Sequence, residues 1–354
     1  MVLQVPNFES PFFSIEDYPE KYQKIVKDLR ENGFAVFDFP EEDFERLTKG
    51  IREDFNDLYD WDKWRAGGLD SLRIQDAWEF DDRVKRIASN PTVLDILSSL
   101  YGRKAFPFQT LNFPVATQQS NHSDHVHFNS VPDRFMCGVW VAFEDVDENN
   151  GPLFYYPGSH KWPSYSNADI GVNGEQIGKG YGRYNDFVDL WSKLAEAHGV
   201  KKEYFHAKKG QALIWSSNLV HGGTGLKDQN RTRWSQVTHY YFDNCAYYTP
   251  VASDVFAGEI FYRDITDVTT GKLVKSKISG RELADSVKNK LRPKFMGQPQ
   301  SSESESNSIG SELHSKIARF NPKRYLDKNP DVKASGSDPF EHFVRFGYSE
   351  NREV

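Results

Sequence analysis

Tyr22, Ile25, Val26 and Leu29 recur at the three-to-four spacing that lines one face of a helix, and Gly33 follows as a stop signal. This pattern predicts a helix over residues 15–32. FAVFDF (34–39) then reads as a buried strand, and EDFERLTKGIREDFNDLYDW (42–61) returns to helical spacing as a second amphipathic helix. DDRVKRIASNPTVLDILSSLYG (81–102) predicts one or two more helical pieces. They break at Asn90-Pro91, because the residue before a proline is disfavoured in the helical region.

After about Phe106 the pattern changes. FQTLNFPVATQQ, RFMCGVWVAFEDV, GPLFYYPGSH, QALIWSSNLVHGG and RTRWSQVTHYYF are short β-branched or aromatic runs broken by Gly, Pro, Asn and Asp. Such a succession predicts a β-sandwich or barrel. One helix, DFVDLWSKLAEAHG (186–199), interrupts it. The class is therefore α+β, with a helical layer followed by a β-rich core at 106–245 inside a main domain of residues 1–291. RPKFMGQPQSSESESNSIGSE (292–312) is Ser/Glu/Gln-rich, as a flexible linker would be. Residues 313–354 regain periodicity through Phe320, Tyr325, Leu326, Phe340, Phe343, Val344 and Phe346. That stretch is short for an independent domain and is expected to pack on the main body or a partner, or to self-associate.

Composition narrows the class further. The 354 residues include 26 Phe, 17 Tyr and 8 Trp, which suits a folded chain with a sizeable core. A net charge of −7 without a basic stripe weighs against nucleic acid as the main partner. No signal-peptide pattern opens the sequence, and no apolar run is long enough to span a membrane. Cys137 and Cys245 are the only cysteines and show no CxxC spacing, so a reducing cytoplasm is the expected location.

NHSDHVHFNS (121–130) concentrates three histidines and an aspartate. On a strand, residues i and i+2 share a face, so His122 and Asp124 point one way and His125 and His127 the other. An imidazole, a carboxylate and one further imidazole hold non-haem Fe(II) with open positions, or hold zinc. The further imidazole must come from downstream, where His206, His221 and His239 are the candidates. His221 ends the apolar run ALIWSSNLV and precedes Gly222-Gly223, where a side chain can project into a barrel mouth while the backbone turns. His206 sits near lysines and reads as exposed. His125 and His127 read as wall or entrance residues, and His239 as an inward core histidine.

HSDHVHF, GVWVAFEDVDENNGPLFYYPGSHKWP, LVHGG and RTRWS together resemble the phytanoyl-CoA dioxygenase family, over roughly 15–243. The resemblance implies an Fe(II)- and 2-oxoglutarate-dependent oxygenase on a double-stranded β-helix, a cupin-like jelly roll. It implies His122, Asp124 and His221 as iron ligands and Arg233, followed by Ser235, as the anchor of the 2-oxoglutarate distal carboxylate. Arg231 shares the parity of Arg233 and reads as a turn residue. Gln109 and Asn112, on the preceding strand, are candidate cosubstrate contacts, but they differ in parity, so one straight strand cannot aim both inward. Dioxygen completes the cofactor set. Related iron halogenases replace the carboxylate with Gly or Ala, so Asp124 implies hydroxylation, with release of succinate and CO2. Alternatives are a non-catalytic cupin-like binding module and a Zn or Mn cupin of another reaction class.

Other features have blander readings. Pro157-Gly158-Ser159-His160 is a tight turn, Glu144–Glu148 a solvated acidic loop, and WDKWR (61–65) the cover of a core edge. Trp140 is placed to line the pocket. YLDKNPDVKASGSDPFEHFVRFGYSENR (325–352) resembles a short repeat appended to bacterial glycosyltransferases. That implies a bacterial setting and a carbohydrate pathway; with no acyl-CoA phosphate-binding motif in the chain, the expected substrate is a small polar or glycan-linked metabolite.

Overall fold

A computed structural model describes residues 4–67, 72–174, 176–177, 183–291, 325–326 and 328–335. The chain divides into two units, residues 1–296 and 297–354. The expected linker lies outside the described residues, as does most of the expected C-terminal module, in which a short helix spans Pro330–Ser335. No helix among the described residues is long and apolar enough to cross a membrane.

The N-terminal half is helical around a single strand. Helix α1 (Glu20–Asn32) buries Tyr22, Ile25, Val26 and Leu29 and ends at Gly33, whose φ of 86° suits the left-handed cap. It starts later than the periodicity predicts, because Pro19 caps it and Tyr18 before the proline is extended; a 3-10 turn, Ile15–Asp17, precedes it. Strand β1 (Phe34–Asp38) is half-buried at a sheet edge, not fully buried as expected. Helix α2 (Phe44–Phe55) stops short of residue 61, and the Trp61 indole takes the Asn56 carbonyl, 2.8 Å away, as its acceptor. A short helix α3 (Trp61–Arg65) follows, with Trp64 buried as the core-edge reading requires. Strand β2 (Ile74–Gln75), helix α4 (Asp82–Ala88) and helix α5 (Pro91–Tyr101) complete this half. The break falls at Asn90-Pro91, and the Asn90 side chain caps α5.

Strands β3 (Ala105–Phe113), β4 (Asn129–Val131), β5 (Met136–Ala142) and β6 (Leu153–Tyr155) come next. After helix α6 (Tyr184–Ala197) follow β7 (Glu203–Phe205), β8 (Gln211–Ser216), β9 (His221–Gly223), β10 (Ser235–Phe242) and β11 (Ala246–Tyr248). The larger sheet runs β1-β8-β5-β10-β3-β2, all antiparallel, and faces a smaller sheet β7-β6-β9, with β11 paired to β4. This is the expected α+β class, with a double-stranded β-helix core.

Strand alternation divides the core into two layers. Val139, Val141, Ala212, Ile214 and Tyr240 pack with α1, α2, α4 and α5 on the outer face of the larger sheet. Trp140, Leu213, Trp215 and Val237 point into the space between the sheets, with Tyr155 and Phe205. Gly138 on β5 opens that space: a Cβ there would collide with the Trp215 ring. The Trp215 indole thus occupies a volume that any larger residue at 138 would claim.

Candidate metal centre

His122 and His221 lie 99 positions apart but exchange both backbone hydrogen bonds across one bridge, N–H to O at 2.8 Å in each direction. His221 opens β9 and does not end β8, as the sequence suggests; β9 pairs with β6, so that Tyr155 stands opposite His221. Gly222 and Gly223 do not turn the backbone. They lie in β9, where a Cβ would come within 2.7 Å of the Gln119 carbonyl oxygen and 2.9 Å of Thr117 Oγ1, respectively. The Ser159 hydroxyl of the Pro157–His160 turn accepts from the Val220 N–H at 2.9 Å and so holds the residue before His221.

The chain after His122 is not a strand. Asp124 begins a 3-10 turn, Asp124–Val126, because the Ser217 carbonyl draws in both the Ser123 hydroxyl (2.9 Å) and the His125 N–H (3.0 Å). His122 and Asp124 still converge, but His127 changes sides. Residues three apart eclipse in a 3-10 turn, so His127 faces the same cavity as Asp124 rather than sharing a face with His125. His125 is buried outside the cavity lining, its Nε2 3.8 Å from Asp133 Oδ1. His206 is exposed.

The donor atoms of His122, Asp124 and His221 lie within 4.8 Å of one another. His122 Nε2 is 3.6 Å from Asp124 Oδ1, and His221 Nε2 is 4.0 Å from Oδ2. Each imidazole has its Nδ1 against a main-chain carbonyl, Ser120 at 2.9 Å and Leu219 at 3.0 Å. That contact fixes the tautomer: Nδ1–H donates and Nε2 keeps its lone pair for a metal. Burial, assisted by His221, lowers His122 to about 3, so its ring is neutral at physiological pH. Burial would raise Asp124, but His221, His239 and His122 together hold it well below the usual carboxylate range. Two imidazoles and one carboxylate fit Fe(II) and leave coordination positions toward the cavity.

Trp215 completes the arrangement, donating its indole N–H to Asp124 Oδ2 at 2.7 Å. The sequence shows only a tryptophan on an apolar strand, and nothing in ALIWSS signals that role. Outer-shell donors of this kind typically set metal affinity within a 10–100-fold range. Trp215→Phe is therefore expected to weaken metal binding by about 10-fold or more while the fold persists, as read by calorimetric titration with Mn(II).

A cavity of about 490 Å³ opens over the triad. Gln109, Trp140, Arg233, Val237 and His239 line it, with His127 and Tyr184 of α6 on another wall. His127 Nε2 is 3.1 Å from the Tyr184 hydroxyl. Gln109 Oε1 is 2.9 Å from His239 Nδ1, and His239 Nε2 is 3.6 Å from Asp124 Oδ2, so the inward histidine joins Gln109 to the carboxylate. Asn112 is not brought here: it faces the helical layer and donates to Gln236 Oε1 at 3.3 Å. Ser235 is also outside the lining. Its short side chain is fully buried and its hydroxyl lies 3.5 Å from the Arg233 carbonyl oxygen.

The two arginines separate clearly. Arg231 is engaged at the surface by both Asp147 oxygens, at 2.6 and 2.8 Å. Arg233 is 1% exposed, lines the cavity and lies over Trp140. Its Nη1 donates to the Gly151 carbonyl at 2.8 Å, its Nε has no partner, and no carboxylate among the described residues lies within ion-pair distance. Burial lowers it to about 10, which still leaves it charged. The acidic loop is less solvated than it reads: Glu144 accepts from the Trp234 N–H and the Thr232 hydroxyl, and so anchors the residues that flank Arg233.

The family model for phytanoyl-CoA dioxygenase matches residues 2–233. The peroxisomal phytanoyl-CoA dioxygenase of Bos taurus is 26% identical over 186 residues, and that of Rattus norvegicus 25% over 189. Each alignment covers 49% of this chain and 50% of the relative, so the chain spans about half the length of the curated relatives it matches. Among solved structures, the non-haem α-ketoglutarate-dependent epimerase SnoN of nogalamycin biosynthesis aligns with a TM-score of 0.48 at 17% identity, over 76% of this chain and 98% of its own. EctD from S. alaskensis with 2-oxoglutarate and 5-hydroxyectoine aligns at 0.46 and 19% identity, over 67% of this chain and 80% of its own. The chain belongs to the phytanoyl-CoA dioxygenase family, and its His122, Asp124 and His221 make a donor set that fits non-haem iron.

Proposed function

We propose that the chain is a 2-oxoglutarate-dependent hydroxylase acting on an aliphatic C–H bond of a small polar metabolite, free or glycan-linked. The supporting observation is the pairing of the His122–Asp124–His221 triad with one buried, anion-free guanidinium, Arg233, in the same cavity. Ferrous iron bound by the triad, with 2-oxoglutarate and dioxygen, supplies the oxidising power of the reaction, whose by-products are succinate and CO2.

The chain's own residues position and shield. Arg233 meets the distal carboxylate of the cosubstrate, because its planar fork matches a carboxylate bidentately and burial strengthens the pair. Ser120 and Leu219 carbonyls orient the two imidazoles, and Trp215 and His239 orient the Asp124 carboxylate. Trp140, Leu153, Phe113 and Val237 make the apolar walls that keep water from the oxidising centre. The volume of about 490 Å³ suits a compact substrate beside the cosubstrate. Asp124 fills the position that must be Gly or Ala for chloride to enter, which favours hydroxylation.

Anaerobic Fe(II) and 2-oxoglutarate together are expected to give a weak visible charge-transfer band, and admission of dioxygen to give succinate. Tight zinc binding without 2-oxoglutarate affinity would instead assign the site to another reaction class.

A further inference from the structure

We propose that Arg263, with Thr249 and Arg73, forms a subsite for an anionic group of the substrate, a carboxylate or a phosphate. This rests on reading the triad cavity as the active site. Arg263 and Thr249 lie beyond residue 233, where the family match ends.

The cavity's charge is one-sided. Among the described residues its lining holds three arginines, Arg73, Arg233 and Arg263, and a single carboxylate, Asp124. A divalent metal is balanced by Asp124 and the metal-binding end of 2-oxoglutarate, and Arg233 by the distal carboxylate. Arg263 and Arg73 then remain without a counterion among the described residues. Neither has a carboxylate within 4.0 Å among the described residues, and the acid next to Arg263, Asp264, pairs with Lys288 at 2.8 Å. A chain with a net charge of −7 that leaves two guanidinium groups unmatched in one cavity offers them to a ligand.

Arg263 is also pre-positioned. Its backbone N–H donates to the Tyr247 carbonyl at 2.8 Å. Its Nη1 donates to Thr249 Oγ1 at 3.1 Å, and its guanidinium carbon lies 4.9 Å from the Phe128 ring centroid. Phe128 in turn packs against His239, centroids 5.1 Å apart, which places Arg263 one aromatic layer from the residues around the triad. Its Nε is buried without a partner. Nε and Nη2 form the edge of the fork that meets a carboxylate or phosphate in parallel hydrogen bonds. Arg73 is exposed and stands just before β2, at a more open part of the wall, where it attracts an anion without fixing it.

The test is calorimetric titration of the full chain, loaded anaerobically with Fe(II) and saturating 2-oxoglutarate so that the Arg233 site is filled. Probes are benzoate, phenyl phosphate and the uncharged benzyl alcohol. At least one anion is expected to bind about 10-fold more tightly than benzyl alcohol, and which one does so separates carboxylate from phosphate substrates. Arg263→Gln is expected to remove that preference, Arg263→Lys to retain part of it, and Arg73→Gln, at an exposed position, to weaken it less. Equal affinity for the alcohol and both anions would overturn the proposal. So would anion binding in Arg263→Gln within about threefold of the unaltered chain. The same titrations on metal-free Arg233→Gln separate this proposal from the proposed function. Anion binding there that disappears with Arg263→Gln stands on Arg263 alone, whatever the metal site does.

Discussion

Asp124→Ala is expected to abolish both succinate formation and tight metal binding in a protein that remains folded. Asp124 is the only anion among the three donors and, among the described residues, the only carboxylate lining the cavity, so no described neighbour substitutes for it. The loss in metal affinity should exceed the roughly 100-fold upper range of outer-shell changes, because a ligand itself is removed. Stability changes less, since two terms oppose each other. The Trp215 indole loses the acceptor it holds at 2.7 Å, and an orphaned buried donor costs about 1–3 kcal/mol. Against this, the substitution removes a buried charge from a metal-free site. Asp124→Asn isolates the charge, because the amide oxygen still accepts from Trp215. Both variants are checked by metal content after anaerobic reconstitution, by circular dichroism and by succinate release. Turnover retained in either one, or in His122→Ala, would overturn the ligand assignment.

Arg233→Gln is expected to raise the dissociation constant for 2-oxoglutarate about 100-fold while metal affinity holds. A bidentate charge-assisted pair in a buried site is worth about 2–3 kcal/mol, and each 1.4 kcal/mol is tenfold. The metal-free, ligand-free protein should respond in the opposite direction. Arg233 is buried, its Nε has no partner and no carboxylate among the described residues lies within ion-pair distance, so without a ligand only the more distant Glu144 offsets its charge. Replacing it should leave the thermal midpoint unchanged or raise it. Loss of cosubstrate affinity together with unchanged or higher stability marks a residue placed for a ligand. A merely structural arginine would lower both. Arg231→Gln, which breaks a surface pair with Asp147, serves as the control and should leave 2-oxoglutarate affinity within about threefold.

The division into helices and strands is legible because it follows from near neighbours along the chain. Leu29 and Gly33 close α1, Asn90-Pro91 separates α4 from α5, and the β-branched and aromatic runs of β5 and β10 form buried strands of the larger sheet. The errors arise where a distant group competes with the local pattern. The strand expected through His122–His127 is interrupted because Ser217, over 90 positions away, captures Ser123 and His125. Gln109 and Asn112 could not both face inward, and the sheet turns only Gln109 toward the cavity.

By itself, the sequence determined the donor chemistry: two imidazoles and a carboxylate in a β-rich chain, with guanidinium groups downstream. Those identities are side-chain properties and need no coordinates. Tertiary structure alone decided which residues meet. The His122–His221 bridge brings His221, the candidate that the family resemblance names, beside His122. A 3-10 turn brings His127 round to the cavity, and Gly138 leaves room for the Trp215 indole beneath Asp124. The surface pair with Asp147 occupies Arg231, so that of these two arginines Arg233 lines the cavity. The physical reason is range: periodicity is set by residues a turn or a pleat apart, whereas a metal site is built from hydrogen bonds between segments about a hundred residues apart.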